Sequence, residues 1–382
     1  MTPYLLVGLT AAVITFVTTP SVRWLASKLG AIDHPSDRKV HANPTPTLGG
    51  LAILLGIIGA GFVASTMPEF EGVFAATSEP LGILLGALVI FVMGAVDDFH
   101  DLPAPVKLAG QVFASGILFL AGVKMQGLLL PDQYVVLSDD VSVIVTVVWL
   151  VATINAMNLV DGLDGLAAGL AAIAAAAFFV FSYRLYADAE FGVISSAPLA
   201  AIVIVGASLG FLRHNFHPAR IFMGDSGAML LGLVLGAATV AGIGNAPPEV
   251  LVGGDGSTVT VQSTSTSTVF LAYFPLLIPL MVLAIPILDA MFAIVRRARR
   301  RRSVFTADKE HIHHRLMDLG HGHRQAVLVL YIWAALAAGA GLAYSFLDHD
   351  DFIFALPVAV GAVVIYTLFP LLTKFIQGRI AP

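Results

Sequence analysis

LGILLGALVIFVMGAVDDFHD, residues 81–101, contains the two features from which the fold follows. From Leu81 to Val96 no side chain carries a charge, and the stretch runs directly into Asp97 and Asp98. A helix apolar on every face cannot sit against water, so this reads as a membrane helix stopped at a polar boundary. The chain repeats the pattern: windows of near-spanning length, bounded by charge, Pro or polar clusters, number eleven. They run from Tyr4 to Leu25, Leu48 to Thr66, Leu81 to Val96, Val106 to Val123, Val141 to Met157 and Gly165 to Tyr183. The remaining windows run from Ala197 to Leu212, Gly227 to Gly244, Val269 to Val295, Ala326 to Phe346 and Phe352 to Thr373.

Composition agrees. Of 382 residues, 58% are hydrophobic and 12% charged, at a mean hydropathy of +0.89. A soluble domain carries about 25% charged residues, which rules out a soluble enzyme. Disorder is excluded by the apolar content, with 24 Phe among it. The absence of Cys removes disulfides, thiolate metal sites and cysteine nucleophiles.

The first window lacks a basic leader, carries Arg23 near its end and is followed by Lys28, so it is expected to be a true span and not a signal peptide. Alternating eleven spans gathers Arg23, Lys28, Arg38, Lys39, Lys107, Arg213, Arg220, the run Arg296 to Arg324, Lys374 and Arg379 on one side. Only Lys124 and Arg184 fall on the other. The positive-inside rule then puts the N-terminus outside and the C-terminus in the cytoplasm. The expected architecture is an all-α integral membrane bundle of about eleven transmembrane helices, forming one polytopic domain over 1–382, with a cytoplasmic active-site cleft. The longest external loop, Asn245 to Thr268, is rich in Gly, Ser and Thr, with a β-like stretch over Thr258 to Val261.

Nearly all reactive side chains fall in five cytoplasmic clusters: Asp33 to Gly50, Asp97 to Asp101, Asn155 to Gly165, Arg213 to Gly227, and Thr306 to Leu316. Adjacent carboxylates such as Asp97 and Asp98 repel, which a divalent cation relieves. In isolation such a pair is commonly a solvated helix stop; against a bilayer it reads as functional. Asn155, Asn158, Asp161 and Asp164 recur every third residue, predicting one helical stripe of oxygen donors suited to Mg²⁺ and the phosphates it carries. The competing reading is helix capping, with Gly162 and Gly165 as terminators. In Phe222-Met223-Gly224-Asp225-Ser226-Gly227 the glycines allow close backbone approach, and helix N-terminal amides favour an anion. Asp225 there suits a bridging metal, the alternative being a simple N-cap. His311-Ile312-His313-His314-Arg315 lacks the carboxylate of a zincin helix and fits a pyrophosphate better than zinc. The Arg296 to Arg302 run reads as a topological anchor on anionic lipid.

In order, these motifs resemble the polyprenyl-phosphate N-acetylhexosamine-1-phosphate transferases, integral membrane enzymes of glycosyltransferase 4 type. The matching strings are Asp33-His34-Pro35, Arg38-Lys39-Val40-His41, Pro44 to Gly50, Asp97-Asp98, Asn155 to Gly165, Phe222 to Gly227 and His311 to Leu316. The eleven-span plan and the Asp308 to Leu316 loop look like the branch that uses UDP-N-acetylglucosamine. One departure points to the sister branch, phospho-MurNAc-pentapeptide transferase: Thr47 stands where the first branch often carries Arg.

The resemblance implies transfer of GlcNAc-1-phosphate from UDP-GlcNAc to undecaprenyl or decaprenyl phosphate, with release of UMP, at the cytoplasmic face of a bacterial inner membrane. This would be the first membrane step of an envelope polysaccharide. It implies Mg²⁺, or Mn²⁺ in its place, held by Asp225 and Asn158. Asp97 and Asp98 would position the lipid phosphate or metal, and Asp161 and Asp164 would orient nucleotide and sugar. Lys39, His41, Asn155, Phe222, His313, His314 and Arg315 would bind substrate, Phe222 by stacking on uracil. Partners expected are the two substrates and the bilayer, with no nucleic acid and with a homodimer allowed. The rival class is a secondary transporter, which would place ionisable groups near the midplane; here Asp289 is the sole acidic residue well inside a window.

Overall fold

In hydrocarbon each backbone N–H must find its acceptor within its own segment, so apolar windows of this length become helices. The computed structural model describes residues 1–35, 43–130, 133–187, 195–244, 277–278, 280–282, 316, 320–346 and 360–368. Its elements are α1 (Thr2–Leu29), β1 (Ile32–Asp33), β2 (Thr45–Pro46), α2 (Gly50–Ser65), a 3₁₀ turn (Pro68–Phe70), α3 (Glu71–Ala76), α4 (Glu79–His100) and α5 (Ala104–Leu120). They continue with β3 (Gly127–Leu130), β4 (Gln133–Val136), α6 (Asp139–Val160), α7 (Leu166–Ala187), α8 (Ala197–Asn215), α9 (Gly224–Gly244) and a helix named here α10 (His323–Phe346). Residues 360–368 are also helical.

Among the described residues, seven helices are long and apolar enough to cross a membrane: α1, α4, α6, α7, α8, α9 and α10, the α7, α9 and α10 spans ending at Arg184, Gly242 and Ala343. Helix α2 continues through a 95° bend into Pro68–Ala76, and α5 is shorter. The chain is a multi-pass, essentially all-α membrane protein. The windows at Val269 to Val295 and Phe352 to Thr373, and the 245–268 loop, lie wholly or mostly outside the described residues. Where windows stop at the first charge, the helices run on: α4 includes Asp97 and Asp98, and α8 includes Arg213 and His214. Two short antiparallel pairs, β1–β2 and β3–β4, are additions that the apolar windows do not signal.

Helix α9 is the axis of the bundle, with 89% of its spanning window buried, whereas α1 and α6 bury 33% of theirs. The outer face of α1 exposes Leu5, Leu9, Val13, Phe16, Val17 and Trp24, an apolar surface of the kind that lipid covers. Helices without a hydrophobic drive to associate in lipid rely on small residues for close packing. Gly206 and Gly210 of α8 do this against α1: a Cβ on either would strike the carbonyl oxygen of Gly8 or Ala12.

From α4 to α9 successive helices alternate in direction, so the C-terminal ends of α4, α6 and α8 meet the N-terminal ends of α5, α7 and α9 at one end of the bundle. Asp97-Asp98, Asn155 to Gly165 and Phe222 to Gly227, among the described residues, are at that end.

Candidate active site

The site is built around the first turn of α9. Its amides are capped by the protein's own anion, not left for a substrate phosphate: Asp98 accepts from Asp225 N at 2.7 Å, Ser226 N at 3.3 Å and Ser226 Oγ at 2.7 Å. The approach requires glycine at position 224, which has φ 71° and whose missing Cβ would meet Asp98 and Thr47 Oγ1. Thr47 is brought there by the stretch 44–50. Thr47 N bonds to Ala31 O at 2.9 Å, Phe222 N to Pro46 O at 2.8 Å, Gly49 N to Phe222 O at 3.0 Å and Gly50 N to Met223 O at 3.0 Å. Leu48, at φ 81°, makes the turn in this strap.

Asp97, one residue earlier on α4, is almost fully buried and pairs with Lys107, accepting also from Leu102 N at 2.7 Å. Lys107 reaches Asp225 Oδ2 as well, at 2.9 Å. One ammonium therefore bridges the end of α4 and the start of α9. Sequence reasoning took Lys107 only as a topological charge. The missed signal is its place in the first turn of α5, where the helix dipole disfavours a cation unless carboxylates compensate it. One turn later on the same face, Gln111 accepts from Asn155 Nδ2 at 2.6 Å, a second residue overlooked. Ser226 is a third.

Asn155 and Asn158 lie on the last turns of α6, and Asn158 hydrogen-bonds the Asp225 carboxylate. The expected four-residue helical stripe ends there. Helix α6 stops at Val160, and Asp161 is its C-cap, at φ −77° and ψ 55°. Gly162 and Gly165 follow, Gly165 at φ 81°, so the capping alternative describes the second half of the motif. Burial, then the charges of Asp225, Asp98 and Asp164, push the Asp161 carboxyl up to about 8. Asp164 points elsewhere: it pairs with His217 Nδ1 at 2.7 Å and accepts from Ala219 N at 3.0 Å.

Phe222 is half-buried beside this cluster. Lys39, His41, His313, His314 and Arg315 lie outside the described residues.

Asp97, Asp98, Asp161 and Asp225 thus crowd one end of the bundle, with Lys107 bonded to Asp97 and Asp225. Mg²⁺ needs only one or two carboxylates beside water and substrate phosphate. The part-exposed Asp225 with Asn158 beside it is such a set of hard oxygen donors. The residues fit the ion.

The sequence profile described as glycosyl transferase family 4 matches residues 80–243, which span α4 to α9. The chain is 42% identical over 376 residues to a protein of Mycobacterium tuberculosis (strain ATCC 25618 / H37Rv) named decaprenyl-phosphate N-acetylglucosaminephosphotransferase, covering 97% of this chain and 89% of that one. It is 34% identical over 319 residues to a probable undecaprenyl-phosphate N-acetylglucosaminyl 1-phosphate transferase of Bacillus subtilis (strain 168), covering 83% and 78%. Against an undecaprenyl-phosphate alpha-N-acetylglucosaminyl 1-phosphate transferase of Yersinia pestis, identity is 28% over 331 residues, covering 84% and 78%. The motifs that bring 44–50, Asp97-Asp98 and Phe222 to Gly227 together in space, and likeness over nearly the whole length, have one explanation: the chain belongs to glycosyl transferase family 4, among the polyprenyl-phosphate N-acetylhexosamine-1-phosphate transferases.

Proposed function

We propose that this protein transfers GlcNAc-1-phosphate from UDP-GlcNAc to a polyprenyl phosphate, releasing UMP. The observation that carries the reading is a carboxylate cluster, bridged by Lys107, at the polar end of apolar helices, in a chain 42% identical to a decaprenyl-phosphate N-acetylglucosaminephosphotransferase. A lipid phosphate is largely dianionic at pH 7, its second pKa lying near 6, so it needs little help from a base. The barrier is the approach of two anions.

Asp225 and Asn158 would hold a divalent ion, Mg²⁺ or Mn²⁺. The bound ion would screen the two anions from each other and stabilise charge on departing UMP. Lys107 keeps Asp97 and Asp225 together and adds positive potential at the same place. Asp98 fixes the α9 turn on which Asp225 is carried. Phe222 would stack on uracil, Asp97 and Asp161 would position the reacting phosphates, and Lys39, His41, His313, His314 and Arg315 would bind substrate phosphates and sugar. Asp164, expected to help orient nucleotide and sugar, is held by His217 and by Ala219 N.

The proposed orientation places this end in the cytoplasm, with eleven spans. Charge asymmetry supports it, and so does parity. Helix α9 leaves the site end and, at about 1.5 Å per residue, traverses a bilayer core. Yet His323, first residue of α10, is back at the site end, stacked on His217. The eleven-window plan, with the Val269 to Val295 window between them, expects α9 and α10 to start on one side in this way. His321 Nε2 meets Thr367 O at 2.9 Å, which returns the last helix to the same side.

The test is UMP release by purified protein in detergent with Mg²⁺, a short polyprenyl phosphate and either UDP-GlcNAc or UDP-MurNAc-pentapeptide. Turnover with UDP-GlcNAc supports the reading; turnover with the muramyl donor alone moves the chain to the sister activity. Uptake of solute without turnover would return the transporter reading.

A further inference from the structure

We propose that Asp164, His217 and His323 form a binding site for a divalent transition-metal ion of the zinc class, distinct in chemistry from the oxygen-donor cluster at Asp225. The three come from separate elements: the α6–α7 turn, the α8–α9 connection and the start of α10. Each offers one ligand atom, and these atoms all lie within 4.8 Å of one another. Two imidazoles and one carboxylate are a borderline donor set, which favours zinc-like ions over Mg²⁺ and leaves a fourth position for water.

The second observation is an unpaired atom. His323 Nε2 is enclosed in the protein and has no hydrogen-bond partner. Burying a nitrogen without a partner is unfavourable, and such an atom in a native structure calls for an explanation. A metal ion shared with His217 and Asp164 supplies one. The His217 and His323 rings stack at 4.1 Å with 20° between planes, so the two imidazoles are already neighbours, and rotation about their Cβ–Cγ bonds out of the stack is what would turn one nitrogen of each ring onto a common point. The His217 Nδ1 to Asp164 Oδ2 contact of 2.7 Å marks the edge where that point lies.

The surrounding backbone is already fixed, as supporting bonds around metal ligands usually are. Ala219 N holds the Asp164 carboxylate at 3.0 Å, and Arg324 Nε holds the His217 carbonyl at 2.8 Å. Gly165 N bonds to Asn215 Oδ1 at 3.0 Å, and the Tyr331 hydroxyl donates to Gly165 O. An ion here would clip α10 to the turn that carries Asp161, three residues from Asp164. The proposal does not depend on the transferase reading.

The experiment uses the full chain in detergent, stripped with chelator and titrated with Zn²⁺, and with Co²⁺ as a spectroscopic probe. One Zn²⁺ per chain should bind and survive millimolar Mg²⁺, with a Co²⁺ visible band of low-symmetry N/O coordination. His217→Gln and His323→Gln should each weaken Zn²⁺ at least about 100-fold, beyond the 10–100-fold usual for losing a supporting partner. His313→Gln with His314→Gln should leave the band in place. Wild-type protein with no stoichiometric Zn²⁺, which needs no variant to fold, would overturn the proposal. So would a band kept in both His217→Gln and His323→Gln, or one lost only in the His313/His314 variant.

Discussion

The carboxylate of Asp98, on the last turn of α4, accepts both the backbone N–H of Ser226 and its hydroxyl, so one helix end caps another across 128 positions of sequence. Asp98 is therefore a structural anchor for the turn that presents Asp225, whereas its neighbour Asp97 faces Lys107. Asp98→Asn keeps an acceptor but loses the charge. It should lower stability by about 1–2 kcal/mol, the range for weakening an N-cap or a charged hydrogen bond, and reduce turnover as Asp225 shifts. Thermal unfolding in detergent checks this; an unchanged melting temperature with lost activity would assign Asp98 to chemistry instead.

Lys107 bonds both Asp97 and Asp225. Lys107→Met should cut kcat by about 10²–10³, the usual cost of removing one preorganised charged donor, with a smaller change in KM for UDP-GlcNAc. Steady-state kinetics decide; wild-type turnover would make the bridge purely architectural.

Asp161 gives a pH dependence to the metal-free protein. Its folded pKa, about 8, lies above the unfolded value near 3.9. Between those values the folded state binds more protons, so this group makes stability fall as pH rises from about 4 to 8. Melting curves in chelator should show that fall. Asp161→Asn should flatten it, and Mg²⁺ should offset it by neutralising the crowded carboxylates. A slope unchanged in Asp161→Asn would contradict the assignment.

Much of this was legible in the sequence, and the remainder fails for definable reasons. Apolar windows locate helices because hydrocarbon tolerates no other backbone, and Asp97-Asp98 marks a site because carboxylates are costly at the end of a membrane span. The pairing of 44–50 with 222–223 is a matter of backbone hydrogen bonds, which leave no trace in side-chain type. Spacing misled at Asp161 and Asp164: a period of three suits one helical face, yet the helix ends at Val160, before both, with glycines following at 162 and 165. Lys107 and Gln111 were hidden by membership of an apolar window, where their role shows only once α5 packs beside α4 and α6.

The central claim is sugar-phosphate transfer dependent on Asp225, and the most direct measurement is UMP release from UDP-GlcNAc and a short polyprenyl phosphate across a Mg²⁺ titration, with wild-type protein and Asp225→Asn. The wild type should release UMP only when both substrates and the ion are present. Asp225→Asn should remain folded and lose at least about 100-fold in turnover, since one carboxylate of the ion's small ligand set becomes neutral without change of volume. Absence of UMP from the wild type, or near wild-type turnover by Asp225→Asn at every Mg²⁺ concentration, would contradict the account.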